Sequence, residues 1–262
     1  MSSLKDILDK VANREITPIQ AEKLLKLNVI DQVGCLAKLD GNREIRKGVP
    51  EIILAEGKTP IEVIDITKSM LGRTGRVIIS RSTQEYVKAL KEEFDKDATL
   101  EVYKKARIVV VKNNDYTMCQ SGGRVAVLTA GTSDVPVAEE AKIIAQEMGC
   151  RVWSAYDVGV AGIHRLLDPI KEIIANDVDV IVVVAGREGA LASVVSGLVD
   201  VPVIAVPTSN SFGFGGKGLA ALMAMLQSCS LGLAVVNIDS GVAAGAVAAL
   251  IANRNGKLRK QA

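Results

Sequence analysis

The sequence has few aromatic residues and a single histidine. Aromatics make up 3% of its 262 residues, whereas apolar residues together reach 48%. The core must therefore be built mainly from Ala, Val, Ile and Leu, which suits buried parallel strands covered by helices with small side chains. Because His164 is the one histidine, the sequence gives little support for a histidine-based zinc site or a Ser-His-Asp triad. We expect His164 to be an ordinary helix-surface residue.

Cysteines and long apolar runs are also scarce. The four cysteines, Cys35, Cys119, Cys150 and Cys229, lie far apart and form no CxxC pair, so free thiols in a reducing cytoplasm are expected. The charged amino terminus does not resemble a secretory signal. The longest stretch without a polar side chain, residues 241–252, is too short to span a bilayer. The sequence therefore predicts a cytoplasmic protein without a membrane partner.

An excess of charge of one sign is lacking as well. The chain carries 32 basic and 30 acidic residues, mixed along its length, for a net charge of +2. Such a balance gives no electrostatic reason to expect DNA, RNA or an anionic membrane as a partner. The one basic run, residues 254–260, fits a solvated, frayed terminus better than a binding patch.

The first part of the chain, residues 1–120, alternates helix and strand signals and is predicted to be a small α+β domain. Two short helices open it, and Thr17-Pro18 starts the second of them. A polar, β-rich stretch follows over residues 31–58. A turn-rich segment, residues 113–123, marks the domain boundary. The other predicted elements are helices over residues 59–70 and 84–94 and strands at 52–54, 77–79 and 109–111.

Residues 121–262 show a sharper pattern, in which strand, loop and helix follow one another five times. The third strand, residues 178–184, contains only one polar side chain, as a strand buried on both faces requires. This order predicts an α/β domain with a doubly wound parallel sheet. Because ligands bind at the carboxyl ends of the strands in such sheets, the informative residues should follow each strand.

Polar, glycine-rich loops follow the first and third strands. The loop Gly131–Asp134 precedes a helix and suits a phosphate, but Ser133 or Asp134 acting as a helix N-cap explains it equally well. Arg187-Glu188 follows the third strand, where it is either functional or a surface ion pair. The sequence alone leaves both alternatives open.

The fourth strand is followed by a long Ser/Gly-rich loop, residues 207–218. It differs from a P-loop because Ser211 and Gly218 stand where that motif needs Gly and Ser or Thr, so an ATPase motif is excluded. A glycine-rich loop of this length favours a mobile lid. Cys229 lies between a helix end and the last strand, and its polar flanks keep it out of the core. Most cysteines are inert fillers, so Cys229 is the exception that needs a test.

The segment VAVLTAGTSDVPVAEEA resembles the opening of the aminoimidazole ribonucleotide carboxylases and mutases of purine synthesis, whose Gly-Ser-x-Ser-Asp loop binds the ribotide phosphate. Ser154-Ala155-Tyr156, Ala185-Gly186 and residues 233–249 extend the resemblance. That family carries histidines where this chain has Tyr156 and, further on, the run from Arg187 to Ser193. Because those enzymes move a carboxylate by histidine acid–base chemistry, the resemblance implies their PurE-like, flavodoxin-like fold and argues against their reaction.

Over its whole length the chain resembles the LarB family, the pyridinium-3,5-biscarboxylate mononucleotide synthases of nickel-pincer cofactor assembly for lactate racemase. The motifs that carry this resemblance are Gly48-Val-Pro-Glu51, Gly57-Lys-Thr-Pro60, Ala130-Gly-Thr-Ser-Asp134, Tyr156-Asp-Val-Gly159, Gly186-x-Glu-Gly-Ala-Leu191, Pro207-Thr-Ser209, Gly213-x-Gly-Gly216, Cys229 and Val236-Asn-Ile-Asp239. The resemblance implies that nicotinate adenine dinucleotide is carboxylated at ring carbon 5, with CO2 or bicarbonate, and hydrolysed to release AMP. It also implies a homo-octamer, as in the purine relatives.

In this hypothesis Cys229 is the nucleophile, and Glu188 and Asp157 handle the proton of carbon 5 or the hydrolytic water. Arg43, Arg46 and Lys58 of the first domain could reach the adenylate or the carboxylates of the substrate, or they could be ordinary surface charge. Mg²⁺ can assist phosphoanhydride cleavage, but no carboxylate cluster defines its site, and no organic prosthetic group is expected. The predicted substrate-binding residues are Gly131, Thr132, Ser133, Asp134, Tyr156, Gly186, Arg187, Gly189, Thr208, Ser209, Gly215, Gly216, Asn237, Asp239, Arg43, Arg46 and Lys58.

Two alternatives of other kinds stay open. One is a nucleotide-binding sensor or scaffold that keeps the PurE-like fold without the reaction. The other is an aminoimidazole ribonucleotide carboxylase or mutase, against which the two missing histidines argue.

Overall fold

A computed structural model describes residues 4–25, 31–33, 37–39 and 43–261. Cys35 lies outside the described residues. The chain divides into two compact units, of which the first comprises Met1–Tyr103 and Ile108–Tyr116. The second comprises Thr117–Ala262 and the short turn Lys104–Arg107. The division after Tyr116 falls within the turn-rich segment of residues 113–123.

The first unit is an α+β structure with a mixed sheet. Its described elements are α1 (Leu4–Ala12), α2 (Pro18–Leu25), β1 (Asp31–Val33), β2 (Ala37–Leu39), α3 (Arg43–Lys47), β3 (Ile52–Leu54), α4 (Pro60–Thr74), β4 (Arg76–Ser80), α5 (Gln84–Phe94), β5 (Ala98–Tyr103) and β6 (Ile108–Asn113). β1 and β2 form an antiparallel pair, and the larger sheet has the order β3-β4-β6-β5. Only β3 and β4 are parallel in that sheet.

Helix α4 shows how local sequence starts and ends an element of this unit. Thr59 accepts a hydrogen bond from the Glu62 amide, and the Glu62 carboxylate accepts one from the Thr59 amide, which forms a capping box ahead of Pro60. Gly75 ends the helix with a left-handed φ of 68°. The apolar face of α4 packs with α5 and the sheet, around buried Met70 and Phe94.

The second unit confirms the predicted doubly wound α/β fold. Its elements are β7 (Arg124–Thr129), α6 (Val135–Glu147), β8 (Arg151–Ala155), α7 (Leu167–Ala175), β9 (Val180–Ala185), α8 (Ala190–Ser196), β10 (Val203–Pro207), α9 (Leu219–Leu226), β11 (Leu233–Val235) and α10 (Gly241–Arg259). All neighbouring strands pair in parallel, in the order β11-β10-β9-β7-β8. β9 is buried along its whole length, as its apolar sequence predicts.

The strand order reverses between β7 and β9. The chain goes from β7 outward to β8, and then returns to β9 on the other side of β7. The helices that leave such a pair of strands diverge to opposite faces of the sheet, and a crevice opens at the carboxyl ends of the two strands. The sheet topology therefore positions a ligand site after β7 and β9.

The basic run at the end of the chain is exposed, as expected of a solvated terminus, but it is helical to Arg259, so the expectation that it is frayed is wrong. α10 continues to Arg259 and packs along α6, where Gly245 allows close approach: a Cβ at that position would lie 2.4 Å from the carbonyl oxygen of Ala141. The Arg259 guanidinium donates to both carboxylate oxygens of buried Asp179, at 2.7 Å each. This fork-shaped pair fixes the end of the helix.

Within the described residues, no helix is both long and apolar enough to cross a membrane.

Candidate functional site

A cleft of about 400 Å³ opens at the carboxyl ends of β7 and β9, at the point of strand reversal. It is formed by the loops that follow β7, β8, β9 and β10. The residues that line it are Ala130, Gly131, Ser133, Asp134, Asp157, Gly159, Val160, Ala161, Arg165, Ala185, Gly186, Arg187, Glu188, Ala190, Leu191, Asn210 and Phe212. Its volume is in the range of small-molecule sites.

The backbone is unusual at the carboxyl ends of the strands. Non-glycine residues with positive φ follow four consecutive strands of the second unit: Asp157 at 60°, Arg187 at 52°, Lys217 at 52° and Asp239 at 55°. Each such conformation costs on the order of 1 kcal/mol. Strain of this kind gathers where the fold must present particular side chains, and Asp157 and Arg187 both line the cleft.

Asp134 joins three of these loops. Its side chain is almost fully buried and accepts hydrogen bonds from the Thr208 hydroxyl at 2.7 Å and from the Gly131 amide at 3.0 Å. Burial raises the pKa of Asp134, whereas hydrogen bonds from Thr208 and from the backbone of Gly131 and Gly186 oppose that rise. The residue therefore connects the loops after β7, β9 and β10.

This geometry changes the interpretation of the Gly131–Asp134 loop. The loop forms a 3-10 turn, and Asp134 makes no side-chain capping bond to α6. Its carboxylate instead accepts a hydrogen bond from the Gly131 amide, so this amide is not available to a phosphate. Ser133 lines the cleft, and exposed Thr132 does not. Any anion bound here would contact the remaining polar groups of the turn.

The loop after β8 divides its polar side chains between two places. Asp157 lines the cleft and pairs with Arg165, and this pair is substantially exposed. Tyr156 does not line the cleft, because its hydroxyl donates to Glu139 of α6. Burial and the neighbouring Glu139 raise the pKa of Tyr156, so it remains a neutral phenol. His164 is exposed as expected, although on a 3-10 segment rather than an α-helix.

The loop after β9 presents two charged side chains to the cleft. Arg187 and Glu188 are both exposed and line it, and within the described residues no ion pair joins them. The Arg187 guanidinium lies over the ring of Phe212, 3.7 Å from its centroid. Arg187 is thus held by an aromatic face rather than by a carboxylate.

The Ser/Gly-rich loop after β10 is organised by its own hydrogen bonds. Thr208 is buried beneath Asp134, and the Ser209 amide donates to the Asp239 carboxylate at 2.9 Å. Gly215 and Gly216 belong to a 3-10 segment, Gly213–Gly218. Asn237 accepts a hydrogen bond from the next amide, that of Ile238. Asn210 and Phe212 of this loop line the cleft, whereas Thr208, Ser209, Gly215 and Gly216 do not, and neither do Asn237 and Asp239 after β11. The loop's role as a lid stays a prediction.

Cys229 does not line the cleft of its own chain. It is exposed and precedes β11, at the amino ends of the parallel strands. α8 starts at the cleft with Ala190, and its last residue, Ser196, donates to the Leu231 carbonyl beside Cys229. The residues on either side of Cys229 contact α8 nearer the cleft: the Ser228 and Ser193 hydroxyls are 2.9 Å apart, and the Ser230 hydroxyl donates to the Ser193 carbonyl at 2.8 Å. Ser193 lies in the first turn of α8, three residues after Ala190. Among the other described cysteines, Cys119 is exposed and Cys150 is buried, which raises the pKa of Cys150 to about 11.

The three basic residues that the sequence nominated in the first domain belong to the first unit. Arg43 pairs with Glu51 at 3.0 Å, and the Lys58 ammonium donates to the Leu54 carbonyl at 2.8 Å. Arg46 is exposed and lies in α3. Their role in binding stays a prediction.

The cleft brings together a minority of the nominated residues. Gly131, Ser133, Asp134, Asp157, Gly186, Arg187 and Glu188 line it. Thr132, Tyr156, Gly189, Thr208, Ser209, Gly215, Gly216, Asn237, Asp239 and Cys229 do not. Sequence reasoning missed Arg165, Asn210 and Phe212. The last two lie in the loop that had been singled out, whereas Arg165 carried no signal because it reads as a helix-surface residue.

Metal ligands do not gather anywhere in the part of the chain that the structure describes. Within that part, no three His, Cys, Asp or Glu side chains could hold an ion together. Mg²⁺ commonly binds through one or two carboxylates and the phosphates of a substrate. The sequence-based expectation of Mg²⁺ therefore stays a prediction.

Comparison with known proteins identifies both units. A model for the LarB/PurE-like N-terminal domain matches residues 30–114, and a model for AIR carboxylase matches residues 124–262. An uncharacterized protein of Methanocaldococcus jannaschii is 44% identical over 254 residues, which cover 95% of this chain and 97% of that protein.

Two further relatives match over 133 residues, or 49% of this chain. A probable N5-carboxyaminoimidazole ribonucleotide mutase of Methanothermobacter thermautotrophicus is 34% identical, with 37% of its length covered. An N5-carboxyaminoimidazole ribonucleotide mutase of Thermotoga maritima is 30% identical, with 74% covered. The chain thus belongs to the LarB family, and its PurE-like second unit makes it an enzyme of the carboxylase and mutase type.

Proposed function

We propose that the protein carboxylates nicotinate adenine dinucleotide at ring carbon 5 and cleaves its phosphoanhydride. The products are AMP and pyridinium-3,5-biscarboxylate mononucleotide, and the mononucleotide is used in the assembly of the nickel-pincer cofactor. The observation that carries this proposal is the pair Arg187 and Glu188 at the switch-point cleft of a LarB-family chain. The purine enzymes that this sequence resembles carry histidines where this chain has Tyr156 and within the run from Arg187 to Ser193, and the one histidine here lies outside the cleft lining.

The chemistry explains why a thiol and a carboxylate would replace histidine. A pyridinium ring is electron-poor and cannot attack CO2. Addition of the Cys229 thiolate to carbon 4 gives a neutral dihydropyridine, in which carbon 5 is the nucleophilic end of an enamine. Carbon 5 then forms a bond to CO2, and its proton passes to a base. Departure of the thiolate from carbon 4 restores the aromatic ring, so no oxidant is needed.

Glu188 is the side chain that we assign to the carbon-5 proton. It is exposed, lines the cleft and lies three residues after the end of the buried strand β9. Asp157 is less suited to a base, because Arg165 already pairs with its carboxylate. Asp157 and the polar groups of the Gly131–Asp134 turn are then left for the phosphate side of the substrate and its hydrolytic water.

The position of Cys229 determines which chain can supply the thiol. Cys229 lies at the amino end of β11 and does not line the cleft, although Ser228 and Ser230 beside it bond to Ser193 in the first turn of α8. We propose that a second copy supplies Cys229 to the cleft, within the homo-octamer that the family resemblance predicts.

Product analysis tests the proposed function. The purified protein is incubated with nicotinate adenine dinucleotide, Mg²⁺ and isotope-labelled bicarbonate, and the mixture is analysed by mass spectrometry. We expect AMP and a mononucleotide that carries one labelled carboxylate. An unchanged substrate would favour a sensor or scaffold, and turnover of a purine ribotide instead would favour the mutase.

Two cysteine variants make this test specific. Cys229→Ala should lower carboxylation by ~10³-fold or more, because it removes the nucleophile. Cys119→Ala is the matched control, since Cys119 is likewise exposed but has no part in the proposed chemistry. Full carboxylation by Cys229→Ala would show that the thiol is not the nucleophile.

A further inference from the structure

Five charged side chains line the cleft, and Asp134, Asp157 and Arg165 are paired or hydrogen-bonded within the protein, which leaves Arg187 and Glu188. Asp134 is held by Thr208 and the Gly131 amide. Asp157 and Arg165 form an ion pair. Arg187 is different: within the described residues no carboxylate lies in salt-bridge distance of its guanidinium, which rests on the ring of Phe212.

The stacking of Arg187 on Phe212 leaves the edge of the guanidinium for a ligand. An aromatic ring holds a guanidinium by its flat face, so the N–H groups around its rim still point outward. That rim is a planar fork that matches the two oxygens of a carboxylate. The left-handed backbone at Arg187, with φ of 52°, turns the side chain toward the cleft that it lines.

The surroundings of Arg187 fit a flat ring acid. The apolar residues Ala185, Ala190 and Leu191 also line the cleft and provide a surface for a ring. Glu188 is the next residue along the chain and lines the cleft too. Two consecutive side chains on one tight turn can reach two groups that are a few ångström apart. In a pyridine ring acid, these groups are the carboxylate on carbon 3 and the hydrogen on carbon 5.

We propose that Arg187, held on Phe212, binds the carboxylate of the pyridine ring and so selects a ring acid over the corresponding amide. This inference rests on the proposed function, because it assumes that a pyridine dinucleotide occupies the cleft. An amide is neutral and presents N–H groups to the guanidinium on one side, so it cannot accept a two-pronged charged hydrogen bond. Arg187 is therefore a specificity-determining residue of this chain.

A binding experiment with an acid and its amide tests the inference. Dissociation constants for nicotinate adenine dinucleotide and nicotinamide adenine dinucleotide are measured by calorimetry on the full-length protein, without bicarbonate. The wild type should bind the acid more tightly. Arg187→Met should reduce this preference by about 10- to 100-fold, the range expected for a hydrogen bond to a charged group.

Three further variants separate specificity from general damage. Arg165→Met is the matched control, because Arg165 lines the same cleft but already pairs with Asp157, and it should keep the acid preference. Arg187→Lys should keep part of the preference. Phe212→Leu should reduce it by about 2- to 5-fold, as expected for loss of an exposed cation–π contact.

Each outcome has a separate meaning. Loss of the acid preference in Arg187→Met alone supports the assignment. An unchanged preference in Arg187→Met overturns it, and so does an equal loss for both dinucleotides, which would mean that Arg187 contacts the shared phosphates. A wild type that binds neither dinucleotide would overturn the proposed function itself, and the inference with it.

Discussion

Asp134 shows how a single residue can organise the loops of a site without contacting the reacting atoms. Its carboxylate links the turn after β7 to Thr208 after β10, and it is almost completely shielded from water. An acidic residue in a Gly-Thr-Ser-Asp turn indicates a phosphate loop or a helix cap by sequence. The structure shows a third use, which depends on Thr208, 74 residues later, and so could not be read from local sequence.

Replacement of Asp134 by Asn should destabilise the second unit in a pH-dependent way. The Asn side chain has one acceptor oxygen, so either Thr208 or the Gly131 amide loses its partner, at a cost of about 1–3 kcal/mol. Burial raises the pKa of Asp134, so the folded state binds a proton more readily than the unfolded state. The free energy that protonated Asp134 contributes to folding is therefore fully present below the usual pKa of Asp. It declines as pH rises through the raised pKa of the folded state.

The measurement is urea unfolding of the wild type and Asp134→Asn from pH 4 to pH 8, followed by fluorescence of Trp153, which lies in β8. The difference in free energy of unfolding should be largest at the acid end and should narrow as pH rises. Asp200→Asn is the control, since Asp200 is exposed. A difference that widens with pH would mean that the hydrogen bonds to Asp134 outweigh its burial.

At the scale of elements, the sequence predicts the helices and strands whose ends are set by nearby residues. Ile52–Leu54 and Gln84–Phe94 have the bounds that apolar pattern and turn residues indicate. β5 was missed, although Leu100 and Val102 alternate with polar residues as in a strand with one buried face. A strand of this kind is specified by its pairing with β6, which the residues of β5 do not encode by themselves.

The end of α10 was predicted wrongly because its partner is distant in sequence. A run of basic residues at a terminus normally indicates a solvated, frayed tail, and no residue near Arg259 in the sequence indicates otherwise. Asp179, which Arg259 contacts, stands 80 residues earlier, just before β9. Its side chain is only 4% exposed, so it needs a positive partner to offset its lost hydration.

Arg259→Met should therefore weaken the second unit, whereas Lys257→Met should not. The first change leaves the buried Asp179 carboxylate with the Arg124 amide as its remaining hydrogen bond among those described, and should cost about 1–3 kcal/mol. Lys257 is exposed in the same helix and serves as the control. Unfolding followed by Trp153 fluorescence gives both values, and equal stability of the two variants would mean that the fork contributes little.

At the scale of the whole molecule, an exposed apolar face beside Cys229 points to assembly. α9 exposes Leu219, Met223 and Leu226 at helical spacing, with about half or more of each side chain accessible, and it leads to Cys229. Exposed apolar faces of this kind mark interaction surfaces. A parallel sheet predicted from sequence places Cys229 before β11 and the cleft after β7 and β9, whereas the packing of copies does not follow from the sequence.

Subunit complementation tests whether Cys229 acts in a neighbouring copy. Glu188→Gln and Cys229→Ala should each abolish carboxylation when expressed alone. When the two variants are expressed together they form mixed oligomers, in which some clefts combine an intact Glu188 from one chain with an intact Cys229 from another. With equal amounts and random mixing, about a quarter of the clefts are complete, so about a quarter of wild-type activity should return.

The same mixture would behave differently if both residues came from one chain. Every chain in it carries one of the two lesions, so no cleft could be complete and no activity would return. Wild type expressed together with the double variant Glu188→Gln/Cys229→Ala is the control for mixing. Sites shared between randomly mixed chains again give about a quarter of wild-type activity, whereas sites within one chain give about half of it. The two mixtures together therefore distinguish a site shared between copies from a site built by a single chain, and they do so without any structure of the assembly.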